Sequence, residues 1–181
     1  MVRIYTRSGD KGLTRDYAGN SIKKSDCLVE VQGKIDELQS SIDILFSFKN
    51  SISIYIDCLK PLDYKRLEKI QINLWQLAGE LALHKVGQKV TKPIKQKDVI
   101  DLEKWIDEAN IKLTGFIRFR SHPAIWINEA RVRCRNLERV LTTYLEQKQV
   151  REVTYKYINR LSDYFFALAY DYETYHSIYN L

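Results

Sequence analysis

Leu28-Val29-Glu30-Val31-Gln32-Gly33-Lys34-Ile35-Asp36-Glu37-Leu38-Gln39-Ser40-Ser41-Ile42-Asp43-Ile44-Leu45 is the stretch that decides the fold. Its apolar ladder, Leu28, Val31, Ile35, Leu38, Ile42 and Leu45, steps by alternating threes and fours, the spacing of a helix with one buried stripe. Three further ladders repeat it: Leu67, Ile70, Leu74, Leu77, Leu81 and His84; Ala130, Cys134, Leu137, Leu141 and Tyr144; Ile158, Leu161, Phe165, Leu168 and Tyr172. A shorter helix is expected around Val99 to Asn110. The 3 prolines and 7 glycines concentrate outside these ladders, and no segment carries a convincing strand alternation. The pattern predicts an all-α bundle of four or five helices, and 181 residues at 45% hydrophobic content suffice for one core and one domain, 1–181.

Lys plus Arg (29) exceed Asp plus Glu (23), giving a net charge of +6 that favours an anionic ligand. Much of the excess lies in Lys85, Lys89, Lys92, Lys95 and Lys97, interleaved with Gly87 and Pro93 and free of stacking aromatics. That is a solvated connection, and no nucleic-acid partner is expected. Cys27, Cys58 and Cys134 show neither disulfide nor zinc spacing, which fits a reducing cytoplasm. No basic-then-apolar leader follows Met1 and no run of about 18 apolar residues occurs, so secretion and membrane spanning are not expected. His84 reads as a core or rim histidine, and Trp75 and Trp105 read as packing residues.

Two features carry chemistry. In Ile4-Tyr5-Thr6-Arg7-Ser8-Gly9-Asp10-Lys11-Gly12-Leu13-Thr14, two glycines let backbone N–H groups turn onto an anion, Lys11 adds charge, and Thr6, Ser8 and Thr14 add hydroxyls. It is not a Walker loop, and by itself it reads as an ordinary Gly-Asp-Lys-Gly turn before it reads as a phosphate site. The second feature is a set of polar residues one position after the seams, a rotation of about 100° that flanks the core. Asp36 follows Ile35, Arg131 follows Ala130, Arg135 follows Cys134, Glu138 follows Leu137, and Asn159 follows Ile158, with Asp163 beyond it. Arg131, Arg135 and Glu138 share one stripe. Arg131, Arg133, Arg135 and Arg139 crowd one helix, where Glu129 and Glu138 can neutralise only two of them. Asp36, expected to be half-buried, is the natural partner for one arginine, leaving another for phosphate.

Tyr5-Thr6-Arg7-Ser8-Gly9-Asp10-Lys11-Gly12, Ile35-Asp36-Glu37-Leu38, the run from Ala130 to Arg139, and Ile158-Asn159-Arg160-Leu161-Ser162-Asp163 together resemble the ATP:cob(I)alamin (corrinoid) adenosyltransferases of the helical-bundle type. The resemblance implies a homotrimer of five-helix, ferritin-like bundles with ATP and corrinoid in clefts between subunits. It implies that a nucleotide-binding loop about 4–24 wraps the triphosphate through Thr6, Ser8, Gly9, Asp10, Lys11, Gly12 and Thr14, with Lys24 as a further contact. Arg135, Glu138 and Asn159 match ATP-site residues, and Asp36 and Arg131 match a salt bridge across the subunit interface. In such enzymes cob(I)alamin attacks the 5′ carbon of ATP and expels triphosphate, usually with Mg²⁺ present. The resemblance thus assigns catalysis to Arg135, Lys11, Asp36 and Arg131. Handover to a cobalamin-dependent enzyme is a further implied partnership.

The family's usual Phe-x-x-Pro-Gly-Gly before the arginine helix is here Phe116-Ile117-Arg118-Phe119-Arg120-Ser121-His122-Pro123, one residue shorter and without either glycine. Phe116 matches the phenylalanine that packs on the corrin's lower face and helps displace its axial base, with Phe119 as competitor. Asn136, Asn128 and Leu28 replace a usual arginine, histidine and arginine. Three readings follow: an active adenosyltransferase, a non-catalytic ATP or corrinoid carrier or regulator, and a basic bundle that binds polyanions.

Overall fold

The computed structural model describes residues 5, 7–48, 59–84, 87–113, 115–147 and 149–179. Thr6 and Cys58 lie outside the described residues. Five helices appear: α1 (Cys27–Ser47), α2 (Pro61–His84), α3 (Gln96–Glu108), α4 (His122–Glu146) and α5 (Glu152–Tyr179). Their starts follow local chemistry. The Asp26 carboxylate accepts the Leu28 N–H at 2.9 Å to cap α1, Pro61 opens α2 where no N–H is needed, and Asp98 reaches back to the Lys95 N–H at 2.8 Å to close the first turn of α3.

The four ladders turn inward as expected, from Leu28 through Leu45, Leu67 through Leu81, Ala130 through Tyr144 and Ile158 through Tyr172. His84 alone among the ladder residues is exposed, so the α2 seam ends at Leu81. The α1 helix packs against α2 and α4, while α5 packs against α4 and α3. Trp105 is a packing residue, its ring 5.5 Å from Tyr164, with the Arg66 guanidinium over its face. Trp75 is not: it is 71% exposed, because one step beyond Leu74 rotates it off the buried stripe into a groove beside α1.

A second difference from the sequence reading is a two-stranded antiparallel ribbon, β1 (Leu13–Arg15) with β2 (Ser21–Lys23), which sets Leu13 opposite Lys23 and Thr14 opposite Ile22. Strands this short hold too few residues to display alternation. Their turn is set by Asp16, whose carboxylate accepts the Asn20 N–H at 2.8 Å and the Asn20 side-chain amide at 3.1 Å, with Gly19 at φ +84°.

One polar clasp joins distant elements. Buried Glu80 of α2 accepts from Arg151 Nε at 2.9 Å and Nη2 at 2.8 Å just before α5, while the same Nη2 donates to the Ile94 carbonyl at 3.1 Å and to Thr154 Oγ1 at 3.0 Å.

Candidate functional site

The Ser8–Gly12 turn rests on the ribbon. Lys24 N–H donates to the Gly12 carbonyl at 2.8 Å, and the Gly12 N–H donates to the Gly9 carbonyl at 3.1 Å. Gly12 sits at φ +73°, a left-handed conformation that any Cβ would strain. The Lys24 ammonium folds over the turn, since a Cβ on Gly9 would lie 3.0 Å from Nζ. Lys11 and Lys24 thereby share one small loop, with Lys11, Asp10 and Ser8 exposed and Thr14 half-buried on β1.

On the α4–α5 face the arginines divide by partner. Arg133 bridges α4 to α1, with Nη1 donating to Glu37 at 2.8 Å and Nε to Glu129 at 2.7 Å. Glu37, also bonded to Lys34 and Arg133, is held below the usual carboxylate range by those two cations. Arg139 donates to Asn136 and Arg131 to Asn128, at 2.6 and 2.8 Å. Arg135 is exposed and forms no ion pair among the described residues. Beside it, Glu138 accepts the Asn159 amide at 2.7 Å, which fixes both side chains across α4 and α5. Asp163 has its carboxyl raised above the ordinary value, first by burial and further by the Glu138 charge, against the lowering pull of Arg160 and Arg135. Arg135, Glu138, Asn159 and Asp163 thus form one polar cluster with an unsatisfied guanidinium at its centre.

Arg133→Ala is expected to leave turnover intact with little change in melting temperature, because its carboxylate partners are partly exposed. Parallel thermal melts and turnover assays check this.

Arg131 points the other way, into a cavity of about 800 Å³ walled by Phe116, Phe119, Ile125, Asn128 and Phe166. Burial and the neighbouring Arg135 charge pull its pKa below the usual guanidinium value. Phe116 is fully exposed at this cavity, while Phe119 is half-buried with its ring edge-on to Phe166 at 5.9 Å.

Asp36 corrects an expectation. It is exposed rather than half-buried and lines a groove between α1 and α2 with Asp43, Glu68, Ile72 and Trp75, and it meets no arginine among the described residues. The step after Ile35 swings it toward α2, and Glu37 takes the α4 arginine instead. The Gly9–Gly12 turn bonds within itself and to Lys24, while Glu138 and Asn159 bond to each other. Phe116, Phe119 and Arg131 line the cavity beside α4, and Asp36 lines the α1–α2 groove.

Sequence reasoning missed Glu37 as the arginine's partner and missed Phe166 as a cavity wall. The Glu37–Arg133 pair spans 96 positions, and nothing local to either residue marks it.

A model of the cobalamin adenosyltransferase family matches residues 4–172. The chain belongs to this family. A corrinoid adenosyltransferase from Citrobacter freundii is 32% identical over 93% of this chain and 94% of its own length. One from Bacillus subtilis is 31% identical over 93% of this chain and 85% of its own length. A variant of the PduO-type ATP:corrinoid adenosyltransferase from Lactobacillus reuteri, solved in complex with cobalamin and ATP, superposes with a TM-score of 0.79 at 28% identity, covering 97% of this chain and 96% of that one. Cavity, arginine cluster and turn are thus features of a cobalamin adenosyltransferase bundle. Of the two cysteines among the described residues, Cys134 is buried, which pushes its thiol pKa well up, and Cys27 is exposed.

Proposed function

We propose that this protein transfers the 5′-deoxyadenosyl group of ATP to the cobalt of a reduced corrinoid, giving an adenosylcorrinoid and triphosphate. The observation that carries the reading is the pairing, on a bundle of this family, of the Arg135 guanidinium, which has no ion pair among the described residues, with a phenylalanine-walled cavity on the same helix. The cobalt electron pair attacks C5′, the new Co–C bond forms as the C5′–O bond breaks, and the triphosphate leaves with that bond's electrons. The protein must position the ribose and neutralise the leaving group.

Lys11, Lys24 and the N–H groups around Gly9, Asp10 and Gly12 hold the phosphates in this reading, with Ser8, Thr6 and Thr14 as hydroxyl contacts. Arg135 meets the leaving charge, and Glu138 with Asn159 orients the nucleoside. Phe116 and Phe119 face the corrin. In this reading Mg²⁺ accompanies the ATP, held by phosphate oxygens and water.

The charge pattern of two exposed faces supports a site completed by a second subunit. The α1–α2 groove carries Asp36, Asp43 and Glu68 around exposed Ile72 and Trp75, whereas the α4 face carries Arg131, Arg135 and Arg139 around exposed Ile125 and Val132. Opposite charge around apolar centres suits a head-to-tail contact, and repetition of such a contact closes a ring. A homotrimer in which Asp36 reaches the Arg131 of the next subunit is that ring. Trp75→Glu is expected to give monomers by light scattering and to lose most turnover. A variant that remained trimeric and active would place the interface elsewhere. No helix among the described residues is long and apolar enough to cross a membrane.

The direct test is formation of adenosylcobalamin from ATP and chemically reduced cobalamin. The protein as a carrier would bind ATP or corrinoid and form no cobalt–carbon bond.

A further inference from the structure

We propose that one stripe of α5, Phe166, Tyr170 and Glu173, is the template that positions the corrinoid-facing loop, with Glu173 as its chief positioning residue. The inference rests on the transferase reading above. The three residues fall at i, i+4 and i+7, one face of the helix. Each holds a different part of the connection between α3 and α4. Tyr170 Oη donates to the Lys112 carbonyl at 3.1 Å, upstream of Phe116. Phe166 packs edge-on against Phe119. One Glu173 oxygen, Oε2, accepts both the Arg120 N–H at 2.8 Å and the Ser121 N–H at 2.9 Å, at the mouth of α4.

The Glu173 contacts replace a cap that the local sequence fails to make. Ser121 is the residue before α4, yet its hydroxyl forms no capping bond and is buried without a partner. A carboxylate from α5 instead fixes the two N–H groups at the entry to α4, Arg120 and Ser121, where the helix dipole favours negative charge and ionised acceptors bond most strongly. The segment also lacks the Gly-Gly pair of the family pattern, so its course is set from outside by side chains of α5 rather than by its own backbone freedom. Phe116 is itself fully exposed, so its placement at the cavity depends on these anchors.

The test compares wild type, Glu173→Ala, Glu173→Gln and Tyr170→Phe of the full chain, with ATP and reduced cobalamin varied separately. Glu173→Ala is expected to raise the corrinoid KM about tenfold and to lower kcat, while the ATP KM stays within about twofold, since misplacing a reacting partner by an ångström costs rate without touching the distant phosphate loop. Bound cob(II)alamin should lose the absorption of the base-displaced form. Glu173→Gln keeps an acceptor oxygen and should recover most of the loss, and Tyr170→Phe should shift the same parameters less. Equal losses for both substrates, or an unchanged corrinoid KM and spectrum in Glu173→Ala, overturn the proposal. Should the wild type form no cobalt–carbon bond, the transferase reading falls separately. The template is then decided by deuterium exchange at the Arg120 and Ser121 amides: faster exchange in Glu173→Ala upholds it, and unchanged exchange overturns it.

Discussion

Arg135→Ala is expected to cut turnover about 100-fold while the bundle stays folded, the usual loss when one preorganised donor to a developing anion is removed. The physical case lies in what Arg135 lacks. Arg133, two residues earlier, spends its guanidinium on Glu37 and Glu129, and Arg131 is bonded to Asn128, but Arg135 forms no ion pair among the described residues. Its anionic neighbours among the described residues are Glu138, already bonded to Asn159, and Asp163, whose carboxyl is raised above its ordinary value. A phosphate arriving there gains a free fork without having to break an existing pair. Arg135→Lys keeps charge and loses the fork, so it should fall between the two. Lys11→Ala, on the opposite wall of the proposed site, should weaken ATP binding on the order of tenfold, the worth of one charge-assisted bond. Steady-state kinetics with ATP titration by calorimetry measure both. Wild-type turnover in Arg135→Ala would remove this arginine from the site.

Glu80→Ala carries the largest expected effect on stability, about 2 kcal/mol. Glu80 is buried and accepts two guanidinium bonds and the backbone N–H of Arg151 together with the Thr154 hydroxyl, so its loss takes an acceptor from four donors at once. Because the Arg151 side chain is 43% exposed, the guanidinium can turn to water, which keeps the cost at the low end for a pair with one buried partner. For a chain of this size that corresponds to a fall in melting temperature of about 4–8 °C. Glu80→Gln retains an acceptor and should lose about half as much. Thermal melts followed by circular dichroism decide the point, and an unchanged midpoint would mean that α2, α5 and the segment at Ile94 are held by apolar packing alone.

How much was legible beforehand differs by element. The four ladders announced four long helices and the shorter α3, because a helix buries a stripe whose period is written in consecutive residues. The turn at Ser8–Gly12 and the stripe of Arg131, Arg135 and Glu138 were visible for the same reason, being local in sequence. The ribbon of β1 and β2 was not, because three-residue strands are held by a partner strand and a turn rather than by a pattern. Trp75 was misplaced because its neighbourhood looks apolar in sequence while its rotation about α2 takes it outside.

What the sequence by itself determined, then, is the helical bundle, the Gly-Asp-Lys-Gly turn and the polar residues that flank the seams. Only the tertiary structure decided which arginine is spent on structure and which is free, that Asp36 faces α2 instead of α4, and that Glu173 caps a helix beginning 51 positions away from it, at His122. The reason is common to all three. Periodicity reports which face of an element is buried, whereas the pairing of charges and caps depends on which other element lies across from that face, and that is settled by packing between residues far apart in the chain.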